Sequence, residues 1–263
     1  MKSVCFLGCG NLVNSLVEGY LNNCNKVSFK FSFYSPSKVK AKKMSEVYSG
    51  QFIEDLSKLQ DHDIYIFGFK PQSYKLAKSI YQKILKENSE IWSLLAGKSS
   101  IDISEDFTQS KVLRIMPNVC SAVGEGITLY TCAHDFDEKA FSEFFGGSSK
   151  LHRMKNDNLL DKVTGVSGSG PALIYEFLQG LQKKLVSCEV DPAEATEIVT
   201  QLLKGSAKLL TKKGDLLNLQ KSITSKEGVT QAALESLKSS QLEHSISLAI
   251  EKAFERSIEL KRD

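Results

Sequence analysis

Residues 2–20 read KSVCFLGCGNLVNSLVEGY. The apolar run at residues 4–7 predicts a strand, and Gly8-Cys9-Gly10 a tight turn. From Asn11 onward, Leu12, Val13, Leu16, Val17 and Tyr20 recur at helical spacing. Strand, glycine turn and helix in that order form a backbone that can hold a pyrophosphate. Gly8 permits the turn, Gly10 lets the backbone approach the phosphates, and the helix offers its unpaired N–H groups and positive dipole end, beginning with Asn11 and Leu12. Val13 stands where the usual third glycine would be. The position after a strand and before a helix, more than the glycine pattern, marks a dinucleotide turn.

The texture around this unit fits a parallel sheet. Val27, Phe29, Phe31 and Phe33 alternate with Ser28, Lys30 and Ser32, which predicts a second strand with one buried and one more polar face. Further strands are expected at 64–69, 91–95, 112–115 and 127–131, a helix from about Phe136, and a last strand near Leu151. The loops closing these runs lie at carboxyl ends of strands, where open α/β sheets bind ligands. After Asn156 the pattern changes: residues 158–186, 192–210 and 229–260 carry apolar residues at helical spacing without strand-like alternation. The expected fold is α/β: a Rossmann-type, mostly parallel sheet domain over residues 1–156, followed by an all-helical dimerisation domain over 157–263. The leucine-rich helices of the second part call for partner helices, hence a homodimer or larger homo-oligomer.

Bulk properties narrow the classes. The 34 basic and 31 acidic residues leave a net charge of +3 with no basic tract, which argues against nucleic acid as a partner. No run approaches the roughly 18 to 20 apolar residues of a membrane span, and Met1-Lys2 leads directly into a strand, so no membrane partner and a cytoplasmic protein are expected. Six cysteines without a CxxC pair and four scattered histidines predict no metal site and buried, reduced thiols.

The end of the second strand bears on the choice of cofactor. An acidic residue there normally binds the ribose 2′-hydroxyl of NAD. This chain has Tyr34-Ser35-Pro36-Ser37-Lys38. Ser35, Ser37 and Lys38, two hydroxyls and a cation, suit the 2′-phosphate of NADPH, with NADH left as the alternative.

Three later segments complete the pattern: FKPQ at 69–72; RIMPN at 114–118 with VGEG at 123–126; and TGVSGSGPA at 164–172. With GCGN at 8–11, Ala96-Gly97, Gly205-Ser206-Ala207, TSKEGVT at 224–230 and AIEKAFERSIEL at 249–260, their order and spacing resemble the pyrroline-5-carboxylate reductase family over essentially the whole chain. The resemblance implies a Rossmann domain, a helical domain that interleaves with that of another subunit, and hydride transfer from NAD(P)H to the C=N carbon of 1-pyrroline-5-carboxylate, giving L-proline. It implies that Thr164 hydrogen-bonds the ring nitrogen. Phe69, Lys70, Pro71, Ala96, Gly97, Met116 and Asn118 border the cofactor, with Lys70-Pro71 acting through backbone geometry. Ser225, Gly228, Val229 and Thr230 hold the substrate carboxylate through N–H groups at a helix start.

The chain departs from the family pattern in two places. The family's usual SPGGTT is SKEGVT here, losing a proline and a glycine, and MPN is followed by Val119-Cys120 instead of Thr-Pro. From its residues alone, Thr164 reads as a helix cap. A β-hydroxyacid dehydrogenase is disfavoured because the lysine expected four residues after a glycine at the interdomain helix is Ile174, counted from Gly170. A reductase of a related cyclic imine or imino acid, and a non-catalytic NADP-binding protein with a regulatory role, stay open as alternatives.

Overall fold

The computed structural model describes residues 1–262. Its first part is an eight-stranded sheet, made of β1 (Lys2–Leu7), β2 (Phe29–Tyr34), β3 (Gln51–Phe52), β4 (Ile64–Phe67), β5 (Glu90–Ser93), β6 (Lys111–Pro117), β7 (Gly126–Cys132) and β8 (Ser149–Arg153). The strand order is β3-β2-β1-β4-β5-β6-β7-β8. All neighbours pair in parallel except β6 with β7. The order reverses between β1 and β4, and the crevice beyond their carboxyl ends is the ligand position of such sheets.

Helix α1 (Asn11–Asn23) buries Val13, Leu16, Val17, Gly19 and Tyr20; of the stripe read from the sequence, Leu12 is half-buried. Gly19 is required by packing: a Cβ there would lie 2.1 Å from the carbonyl oxygen of Ser121. With α2 (Lys38–Val47) and α5 (Glu138–Phe145), α1 covers one face of the sheet. The core on that face is aromatic: Phe6 stacks on Phe33 with ring centroids 5.2 Å apart, and Tyr20 on Phe144 at 5.1 Å. A short 3-10 turn at Leu56–Leu59, α3 (Tyr74–Tyr81) and α4 (Ser100–Asp106) cover the other face around Leu7, Tyr65, Phe67 and Ile91.

On the more polar face expected of β2, Lys30 is exposed and Ser28 half-buried, and only Ser32 departs from the expectation. Ser32 is buried, because His62 and the 3-10 turn close over it. Val27, assigned to the same strand, lies before it and is exposed. The expectation of buried thiols holds for Cys5 and Cys9 only; Cys24, Cys120 and Cys132 are half-buried, and Cys188, just past a helix end, is exposed.

The helical part comprises α6 (Asp157–Ser167), α7 (Gly170–Ser187), α8 (Pro192–Lys213), α9 (Leu216–Ser222), α10 (Val229–Ser239) and α11 (Leu242–Arg262). The periodic stretch at 158–186 is therefore two helices, because Gly168-Ser169 interrupts it. Compact units divide after Pro171: one is Met1–Pro171 with the end of α11 from Lys252, the other Ala172–Glu251. The change from sheet to helices comes at Asn156, yet α6 groups with the sheet because Leu160 packs on Met116 and Leu129. Among the described residues no helix is long and apolar enough to cross a membrane.

Candidate active site

At the carboxyl edge of the sheet, Gly8 has φ +105°, and a Cβ on it would lie 2.5 Å from the amide nitrogen of Phe69. Only glycine allows the β1 turn to pass so close to the β4 loop. Gly10, by contrast, has open space where a Cβ would stand. It is the N-cap of α1, makes no side-chain cap, and is followed by no acidic residue in the first turn. The N–H groups of Asn11 and Leu12 thus begin a helix terminus suited to an anion. The close packing usually provided by the third glycine is achieved differently: a Cβ on Gly68 would lie 2.3 Å from Val13 Cγ2. The glycine has moved to the partner loop, so Val13 does not spoil the cradle. Burial pushes the Cys9 thiol up to about 12, which keeps it neutral inside this glycine turn.

Ser37 caps α2 without a side-chain hydrogen bond, leaving its hydroxyl outside the helix ladder. Lys38 reaches Glu54 at 3.0 Å, with both side chains mostly exposed. Such a pair is worth about 0–1 kcal/mol, little enough for a phosphate to replace the carboxylate. Glu54 follows the two-residue strand β3 and was invisible as a neighbour of Lys38 in the sequence. No carboxylate follows β2 directly, so the edge fits NADPH.

The other residues expected to border the cofactor differ in their surroundings. Phe69 packs on Phe67 and Tyr81 at 5.3 and 5.9 Å. Lys70 opens the 3-10 turn Pro71–Ser73, with Pro71 at its first position, where its missing N–H costs nothing. Gly97 has φ +73° and follows half-buried Ala96. Met116 is buried among Leu129, Leu160, Ala96 and Val163. Asn118 is also buried: its Nδ2 donates to the Ser167 carbonyl at 3.1 Å, and its Oδ1 accepts from Ile127 N at 3.3 Å. Its amide therefore ties the β6 loop to the end of α6.

Thr164 lies in the last turn of α6, not at a helix start, so the capping alternative fails on position. Its hydroxyl donates to the Leu160 carbonyl at 2.6 Å, one turn back, leaving Oγ1 lone pairs as acceptors.

In the other unit, Gly228 is the N-cap of α10, with no side-chain cap and no acidic residue in the first turn. Val229 and Thr230 open that helix, and Gly228 N donates to the Ser225 carbonyl at 3.0 Å. Glu227 has φ +60°, the left-handed conformation in which the family's glycine would be unstrained.

The sequence reading missed one charged group. Arg114 is fully buried; its Nη1 donates to Asp157 Oδ1 at 3.0 Å and its Nη2 to Asp161. The signal was an arginine inside the apolar run VLRIM, together with aspartates four residues apart on one helix face.

Comparison with known proteins agrees with this geometry. Residues 157–260 match the family described as Pyrroline-5-carboxylate reductase dimerisation. A pyrroline-5-carboxylate reductase of Staphylococcus aureus is 30% identical over 274 aligned positions, covering 99% of this chain and 98% of that protein. Among solved structures, a Plasmodium falciparum pyrroline carboxylate reductase with NADP bound has a TM-score of 0.85 at 24% identity, covering 99% of this chain and 98% of that one. The 1-pyrroline-5-carboxylate reductase of Streptococcus pyogenes has the same score and identity, with 98% of each chain covered. The likeness thus runs along the full length of a relative as well as over the helical half, and the chain belongs to the pyrroline-5-carboxylate reductase family.

Proposed function

We propose that this protein reduces 1-pyrroline-5-carboxylate to L-proline, the last step of proline biosynthesis, as a cytoplasmic homodimer or larger homo-oligomer using NADPH, with NADH the weaker cofactor. The observation that carries the cofactor half of this reading is the open space over Gly10 at the start of an uncapped helix. Family membership carries the substrate half.

When bound, NADPH supplies the hydride, which goes to the C=N carbon as the C=N π pair withdraws onto nitrogen. The residues of the chain position the reactants. Gly8 and Gly10 let the backbone approach the pyrophosphate, and the N–H groups of Asn11 and Leu12 face it. Ser35, Ser37 and Lys38 take the 2′-phosphate. Phe69, Lys70, Pro71, Ala96, Gly97, Met116 and Asn118 shape the wall, the last two from within the protein. Because the Thr164 O–H is given to Leu160, its oxygen accepts from the N–H of a protonated imine, holding the substrate in its electrophilic form. Ser225, Gly228, Val229 and Thr230 receive the carboxylate at the first turn of α10.

The test is NADPH oxidation in the presence of pyrroline-5-carboxylate. Turnover, with a lower KM for NADPH than for NADH, is expected; tight NADPH binding without turnover would reject the reading. A second reading, a related cyclic imine as the preferred substrate, is favoured by Glu227, which puts a carboxylate beside the anion-binding loop. A panel of cyclic imines with and without the carboxylate separates the two, since the second reading requires faster turnover of the uncharged ring.

A further inference from the structure

We infer that Arg114 is a positioning residue for the reaction, acting through Asp157 and Asp161 to set the height and rotation of α6 and thereby the place of Thr164. The inference rests on the functional reading above, since Thr164 is the group it serves.

Sheet register fixes Arg114 first. It is level with Ser93 on β5, which is level with Phe67 on β4, which is level with Leu7 on β1. That row is the last before the cofactor loops begin at Gly8 and Gly68. A guanidinium rooted there is attached to the same rigid edge that shapes the cofactor cradle.

The helix side is equally determined. Asp157, Asp161 and Thr164 are at i, i+4 and i+7, one face of α6. Arg114 holds the first two with separate nitrogens of one planar group, which constrains both translation along the helix axis and rotation about it. Asp157 also accepts from Ser100 N at 3.0 Å and from Ser100 Oγ at 2.7 Å, so the start of α4 is tied into the same group. At the far end, Asn118 Nδ2 holds the Ser167 carbonyl. Thr164 lies between the two anchors, both rooted in β6 and its loop. Arg114 Nε is buried without a hydrogen-bond partner. An apolar contact would fill this space without that desolvation cost, so the charged cluster is a poor choice for stability and a good one for a fixed orientation.

The experiment compares wild type, Asp161→Asn, Thr164→Ala and the double variant. Asp161→Asn keeps the shape of the side chain and leaves the Arg114–Asp157 contact in place. Its expected effects are a kcat for pyrroline-5-carboxylate lowered at least tenfold, an NADPH dissociation constant within threefold of wild type, and a double variant no slower than Thr164→Ala alone. Losses that multiply in the double variant, or an unchanged kcat in Asp161→Asn, would overturn the inference. Hydrogen exchange of the amides of residues 164–168 is measured in parallel. Exchange at least tenfold faster in Asp161→Asn is expected, and an unchanged rate overturns the inference whatever the activity. Inactive wild-type enzyme would reject the substrate assignment alone, and hydrogen exchange would still decide the anchoring of α6. If Asp161→Asn fails to fold, Arg114→Lys is put through the same measurements. Lysine keeps the charge without the two-pronged geometry, so wild-type kcat and exchange in that variant would overturn the inference.

Discussion

The two glycines of the first turn do different work, and substitution separates them. At Gly8 an alanine would need a left-handed φ and would drive its Cβ into the backbone of the β4 loop. Strain of this kind costs on the order of 1–3 kcal/mol, so Gly8→Ala is expected to lower Tm by several degrees in a thermal melt. Gly10→Ala meets nothing in the protein and has an extended backbone that alanine adopts freely. It is expected to leave Tm unchanged while weakening NADPH binding about tenfold or more in a fluorescence titration, because the methyl occupies the pyrophosphate's space. Equal affinity in Gly10→Ala would remove the phosphates from that position. Glu227 presents the reverse case, a side chain where glycine is better. Relieving its left-handed conformation gains roughly 1 kcal/mol. Glu227→Gly is therefore expected to raise Tm and, by removing a solvent-screened negative charge beside the carboxylate's donors, to lower the KM for pyrroline-5-carboxylate by about two- to fivefold. An unchanged KM would show that the Glu227 charge is not felt at the substrate.

At the scale of elements, the layer on β2 makes stability depend on pH. The carbonyl of Leu59 can only accept, so His62 Nδ1, 3.2 Å away, carries the proton, and Nε2 accepts from Ser32 Oγ at 2.8 Å. Burial holds His62 below its ordinary value of 6.5. The unfolded chain therefore binds a proton that the folded chain excludes. The stability from neutral His62 is complete above 6.5 and is lost as pH falls from there through the lowered folded value. Tm is expected to decline as pH falls below about 6.5, and His62→Asn to flatten that decline. Asp63 and Asp137, held below their ordinary 3.8 by hydrogen bonds from Ser3 and Lys2, act only at more acid pH. A decline of the same size in His62→Asn would assign the effect to other groups. This layer also marks where sequence reading stops. α1 was legible because its apolar period is set by one buried face, and the central strands β1 and β4 because, buried on both faces, they read as unbroken apolar runs. Ser32 and His62 were not, because a polar residue buried by a partner 30 positions away has no local signature. β3 is two residues long, too short for any period, whereas the break between α6 and α7 was legible as the Ser-Gly-Ser-Gly-Pro run at 167–171. Arg114 was legible as an anomaly but not as a function, since its partners lie more than forty residues away.

Over the whole molecule, the two units differ in how they are held together. The sheet unit has an apolar core on each face of its sheet. In Ala172–Glu251, Ala195 and Val199 are the only buried hydrophobic residues among those described, while Ile198, Leu202, Leu209, Leu216 and Ile223 are exposed. Helices with so little buried surface cannot offset the conformational entropy of ordering them, so their stability must come from a partner, and the match of residues 157–260 to a dimerisation family makes that partner a second copy of the chain. Leu202 and Leu209, seven residues apart on α8, line one groove with Ile198, Leu216 and Ile223. Burying each leucine in a dimer is worth about 1.5–3 kcal/mol, and an aspartate at either place would have to be buried charged or keep the helices apart. In sedimentation, wild type is expected as a dimer or larger and Leu202→Asp/Leu209→Asp as a monomer with a lower Tm. NADPH affinity is expected to change by less than about threefold, because the cradle belongs to the unit with its own cores. A double variant that sediments as wild type would show that the α8 face is not the interface.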